Sequence, residues 1–211
     1  MESLRQHLKK VFTSVHQELK IWKECLDSSQ PLWESLVNTT EQYHCCQRAE
    51  KDHSDVIIFK EFPDATERLQ VKLISSLNIV TGKLQKKMMQ LDKVSKAVHN
   101  EWQSSWQLLS QQSRHVNVEE TVRASATEPS VSDMLMWLRR INLLLQQDYA
   151  ERNWMLESAN FEKEDLINHY HSAWISKQKN IQLEIDSKSW FEACKQCLHT
   201  FNSLWTRDDE E

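Results

Sequence analysis

A single glycine, Gly82, serves a chain of 211 residues, and only three prolines accompany it. β-Sandwiches and barrels draw on many turn glycines, and phosphate-cradling loops need several close together. One glycine argues against both. Leu, Lys, Glu, Gln and Ser are abundant instead, which favours long helices joined by few loops. The fold class implied is all-α: an elongated helical bundle of about six helices, one of them very long.

Hydrophobic spacing places those helices. Leu4, Leu8, Val11, Val15, Leu19, Trp22 and Leu26 recur at threes and fours and predict a first helix over 4–26, widened by Phe12. Ser28 and Ser29 interrupt this pattern, and Pro31 suits the first turn of a second helix carrying Trp33, Leu36, Val37 and Tyr43. The short connection predicts an antiparallel hairpin. Residues 49–63 read as a connector with a short apolar plug, Val56 to Phe59. Asp64 and Glu67 then have the spacing of a capping box.

The third helix is predicted from about 64 to 112, with a stripe running from Leu69 to Leu109. Eleven intervals across 40 residues average close to 3.6, the period of a straight helix rather than of a long coiled coil. Unbroken, it spans about 70 Å. Gly82 costs about 1 kcal/mol there and marks the expected bend. Residues 113–128 are polar and read as a loop.

Ser130 and Asp133 form a second capping pattern, opening a fourth helix over about 131–158. Met134, Leu138, Ile141, Leu145, Tyr149 and Leu156 make its main stripe; Met136, Leu143 and Trp154 make a second row on the opposite side. A surface helix is polar there. A helix apolar on two sides is either central in the bundle or covered by a second chain. A fifth helix, 162–176, carries Leu166, Ile167, Tyr170 and Trp174. A sixth, 180–206, has Trp190, Cys194, Cys197, Phe201 and Leu204 at coiled-coil-like four-three spacing. The organisation expected is 1–112 as hairpin plus long helix, 113–128 as loop, 129–206 as C-terminal helices packing on the long helix, and 207–211 as an acidic tail.

Net charge is −5, without the basic excess that drives non-specific nucleic-acid binding. The N-terminus has no signal-peptide pattern, and the longest apolar runs are too short to cross a bilayer. Five cysteines, an odd number, fit a reducing compartment, cytosol or nucleus.

Candidate chemistry is sparse. Cys194 and Cys197 have redox or zinc spacing, but both fall mid-helix on an apolar seam, where a thiol acts as a small hydrophobe. His44, Cys45 and Cys46 could complete a zinc set, yet no spacing brings them near. His169 and His171 point roughly 200° apart on a helix and cannot share one ion. Glu119 and Glu120 lie in a polar loop. No metal ligand set, cofactor motif or activated nucleophile emerges, so the reading is non-enzymatic. Lys83, Lys86, Lys87 and Lys93 share one side of the third helix, either as a solvated face or as a phosphate contact.

Nine tryptophans stand out. Each indole joins a large apolar ring to a polar N–H, which suits cores and interfaces alike. Six residues are taken as the partner-binding surface: Trp102, Trp106, Met136, Trp137, Leu143 and Trp154.

Several segments in order resemble the AIRIM family of ribosome maturation factors, which interact with Afg-type AAA ATPases. They are Leu8-Lys9-Lys10-Val11-Phe12, Trp22, Pro31-Leu32 to Leu36 and Glu41-Gln42; Phe59-Lys60-Glu61-Phe62-Pro63-Asp64 with Glu67-Arg68-Leu69; and Pro129-Ser130-Val131-Ser132-Asp133-Met134-Leu135 with Trp137-Leu138, Ile141, Tyr149 and Arg152. The resemblance runs from about residue 4 to 176. It implies a non-catalytic adaptor subunit that pairs with a CINP-like helical protein and joins AAA ATPases in one assembly. It also implies action on cytoplasmic precursors of the large ribosomal subunit, recycling their maturation factors, and in proteostasis at replicating chromatin. Cytoplasm and nucleus follow as the expected location, with the pre-ribosome met indirectly and no membrane contact. The alternative is a stand-alone helical scaffold that touches nucleic acid through its lysine face.

Overall fold

A computed structural model describes residues 2–51, 64–112, 121–122, 124 and 129–186. Among these the regular structure is entirely helical. The helices are α1 (Glu2–Lys51), α2 (Ala65–Gln112), α3 (Val131–Glu157) and α4 (Glu164–Asp186), and Thr121 and Val122 are helical as well. Of the expected connector 49–63, residues 49–51 are instead the end of α1, and 52–63 lie outside the described residues, as do most of the expected loop 113–128, Cys194, Cys197 and the acidic tail.

The predicted N-terminal hairpin is corrected. α1 is one helix of 50 residues with Pro31 inside it, so the described residues hold two very long helices, not one. The physical reason is a core stripe that never breaks. Trp22, Leu26, Ser29, Trp33, Leu36, Thr40 and Tyr43 are all buried and follow one another at alternating intervals of four and three. Ser29 and Thr40 hold places on that stripe where apolar residues were sought. The Ser28 and Ser29 hydroxyls both donate to the Cys25 carbonyl, at 3.0 and 2.7 Å, turning back onto the helix instead of ending it. Pro31 lacks the N–H that would reach the Asp27 carbonyl, but its ring is exposed, so the loss falls on the wet side of the helix.

α2 and α3 begin and end within a residue of expectation. Asp64 precedes α2, and its carboxylate pairs with Arg68 at 2.6 Å. Ser130 caps α3: its Oγ accepts from the Asp133 amide at 3.0 Å and donates to Asp133 Oδ2 at 2.6 Å. α2 stays helical through Gly82. α4 runs on through 177–179 to Asp186, so the predicted break between a fifth and a sixth helix is also corrected.

The chain forms two units, each built from separate stretches of sequence. Among the described residues, the first takes in those up to Lys23, those within Leu91–Tyr149 and 180–186; the second takes in those within Glu24–Gln90 and Ala150–Lys179. In the first unit Leu4, Leu8, Val11, Val15 and Trp22 of α1 are buried, as are Leu91, Val94 and Val98 of α2 and Leu138, Ile141 and Leu145 of α3. Burying each such side chain contributes about 1.5–3 kcal/mol. The pairing is antiparallel. His7 meets Ser105 (3.2 Å), and His99 near the start of this stretch of α2 meets Gln146 far along α3 (3.1 Å).

In the second unit four helical segments run antiparallel to their partners. Cys25 donates to the Lys87 carbonyl and Cys46 to that of Thr66, while Glu50 accepts from Gln70, which fixes α1 against α2. Gln178 donates to Asp27, and His44 Nε2 lies 2.9 Å from the Phe161 carbonyl oxygen. Lys177 pairs with Glu151. At the centre the Trp33 and Trp174 rings lie 5.4 Å apart. Arg152, fully buried, sets its guanidinium 4.4 Å above the Trp174 ring and donates to the Trp174 carbonyl at 3.4 Å. Beside the expected stripe of α3, Asn142 and Asp148 in the first unit and Arg152 in the second are also buried.

Candidate partner-binding site

Near its end, the predicted stripe of α2 departs from the buried face. From Leu73 to Val98 its predicted stripe is buried. Beyond that, the buried position passes to Ser105, whose hydroxyl donates to the Glu101 carbonyl (2.8 Å) and meets His7. Trp102 is thereby left half-buried, its ring 5.8 Å from His99, and Trp106 stands 52% exposed. The cause is spacing: Ser105 continues the buried line of Leu77, Leu84, Leu91 and Val98 at intervals of seven, whereas Trp102 and Trp106 follow Val98 in steps of four and turn off that line.

α3 supplies the other wall. Arg5 Nη1 donates to the Pro129 carbonyl, which holds the entry to α3, and Val131 behind it is fully buried. Met136, one turn on, is 59% exposed. Between the two walls lies a groove of about 530 Å³ lined by Trp102, Trp106, Leu109, Thr121, Val131, Ser132, Leu135, Met136 and Arg139. Arg139 is the one charged side chain among these described lining residues.

The six residues singled out in the sequence thus divide. Trp102, Trp106 and Met136 come together at the groove. Leu143 follows Met136 by two turns on the same side of α3 and is 52% exposed. Trp137 is half-buried and does not line the groove. Trp154 belongs to the second unit, where it is exposed and sets its ring edge-on against Tyr170 at 5.6 Å. Sequence reasoning overlooked Arg139; its spacing of three from Met136 puts it beside the outer row and was the available signal.

The chemistry available elsewhere is modest. Among the described residues no cluster of three or more His, Cys, Asp or Glu could hold a metal, and none of their helices is long and apolar enough to cross a membrane. Burial pushes the Cys25 thiol above its ordinary pKa, against the pull of Lys87 and the Ser29 hydroxyl. Cys46 is pushed up by burial and by Glu50. These are protonated packing thiols near neutral pH rather than nucleophiles. Lys83 and Lys86 are exposed in the second unit, and Lys93 in the first.

Known proteins resemble the chain along most of its length. An AFG2-interacting ribosome maturation factor from Homo sapiens is 32% identical over 186 residues, covering 87% of this chain and 91% of the relative. The Mus musculus protein of the same name is 28% identical over 177 residues, 84% and 81% of the two chains. That of Xenopus tropicalis is 25% identical over 201 residues, 90% and 94%. Residues 2–188 match the family described as Ribosome biogenesis protein C1orf109-like. With that match over nearly all of its described helices, the chain belongs to the C1orf109-like family of ribosome biogenesis proteins.

Proposed function

We propose that this chain is a non-catalytic adaptor subunit of an Afg-type AAA ATPase assembly in large ribosomal subunit maturation. The observation that carries the reading is the outward set Trp106, Met136 and Leu143 in the first unit, each more than half exposed. Side chains of this size are stabilised by a partner's cover, and exposed apolar clusters of this kind mark protein interfaces. The relatives' name, AFG2-interacting ribosome maturation factor, gives the class of partner that the reading carries to this chain.

In this reading ATP hydrolysis belongs to the ATPases. A CINP-like helical protein is the second partner, and the pre-ribosome is met through the assembly. The adaptor works in cytoplasm and nucleus, with a further role in proteostasis at replicating chromatin.

Gentle affinity purification of the tagged full chain, followed by mass spectrometry and nucleic-acid staining, tests this. An Afg-type ATPase in stoichiometric amount is expected. RNA without ATPase would sink the adaptor reading in favour of a scaffold that binds through exposed lysines such as Lys83 and Lys86.

A further inference from the structure

We infer that the groove between α2 and α3 in the first unit receives an amphipathic helix of a partner protein, an apolar row flanked by glutamate or aspartate that meets Arg139. The partner's identity rests on the adaptor reading above; the groove's own chemistry can be tested by itself.

The argument for a helix is geometric. Two antiparallel helices side by side present a furrow, and a third helix fills such a furrow with side chains at every third and fourth position. Trp102 and Leu135 are among the groove's lining, Trp106 and Met136 stand half out of it, and Leu143 continues the apolar line two turns further along α3. An extended row of this kind matches a rod-like occupant better than a compact ligand. Indole and thioether suit the role: the first is a rigid anchor, and the second adapts its shape.

The argument for acidity is electrostatic. Arg139 is exposed and is the one charged side chain among the described groove-lining residues. The chain as a whole carries −5, so this guanidinium runs against the overall balance. Its planar fork binds a carboxylate through two parallel hydrogen bonds, which a lysine on the partner could not answer.

The test uses the full chain and two fluorescent host peptides of matched helicity, each about five turns long. Both carry a leucine row, flanked by glutamates in one and lysines in the other. The glutamate peptide is expected to bind about tenfold or more tightly, as read by anisotropy. Arg139→Gln should abolish that preference and Arg139→Glu should reverse it, with circular dichroism unchanged because the residue is on the surface. Equal binding of the two peptides, or a preference that survives Arg139→Glu, overturns the inference. Capture of the Afg-type ATPase is scored in parallel. ATPase captured without any peptide preference removes the groove and leaves the adaptor. A peptide preference that tracks Arg139 in a chain that captures no ATPase supports the groove and removes the adaptor.

Discussion

Trp33 and Trp174 are sealed within the second unit, whereas Trp106 stands half out of the first. The residue type is the same and the outcome opposite. In the second unit each indole has a counterpart: the two rings lie against one another, and Arg152 roofs Trp174. In the first, the space beside Trp106 is a groove that the described helices leave open. A tryptophan is therefore neither a core residue nor an interface residue by nature. The element opposite decides.

The sharpest way to break this comparison is to remove an indole from the closed unit. Trp174→Ala should cost about 3–5 kcal/mol, because it opens a cavity and strips the cover from Arg152. Urea unfolding measures it, and a loss under about 1 kcal/mol would show that the second unit is less closed than its burial indicates. Trp154 is the intermediate case, half exposed but edge-on to Tyr170. Trp154→Ala should cost about 0.5–1.5 kcal/mol on the same assay, the worth of one aromatic pair.

Gly82→Ala is expected to work in the other direction. A Cβ there meets nothing within 4 Å. The substitution should therefore stabilise by about 1 kcal/mol, the helix-propensity difference, seen as a higher urea midpoint. No gain would point to a bend at Gly82 that alanine opposes. The smallest expected effect is at the open face. Leu143→Asp should change stability by less than about 0.5 kcal/mol while lowering ATPase capture. Outright unfolding would assign Leu143 to the core and erase the contrast between the units.

Much of the helical plan was legible from spacing alone. The bounds of α2 and α3 follow from their stripes, and the Ser130–Asp133 cap is visible as a pattern of two residues. What was not legible is what apolar periodicity ignores. Ser29 and Thr40 hold core places in α1, so the stripe looked broken at the point where Pro31 offered a stop. Asn142, Asp148 and Arg152 hold core places in α3, invisible to a search for leucines. The site divides in the same way. The outer row of α3 could be read from its own spacing, but its meeting with Trp106 depends on how α2 and α3 pair, and that register is written in contacts between helices. Trp154 joined the list through the row on its own helix, which says nothing of Tyr170 on α4.

Arg152 has one more consequence. A guanidinium cannot shed its proton to escape a dry interior. Its charge is answered in part by two groups of one residue on a neighbouring helix, the ring and the carbonyl of Trp174. Sliding α4 by one residue would turn both away at once, through roughly 100°, and cost the buried guanidinium these two contacts. Leucine in its place would tolerate the slip. The arginine thus favours the one alignment of α3 with α4 that keeps both contacts.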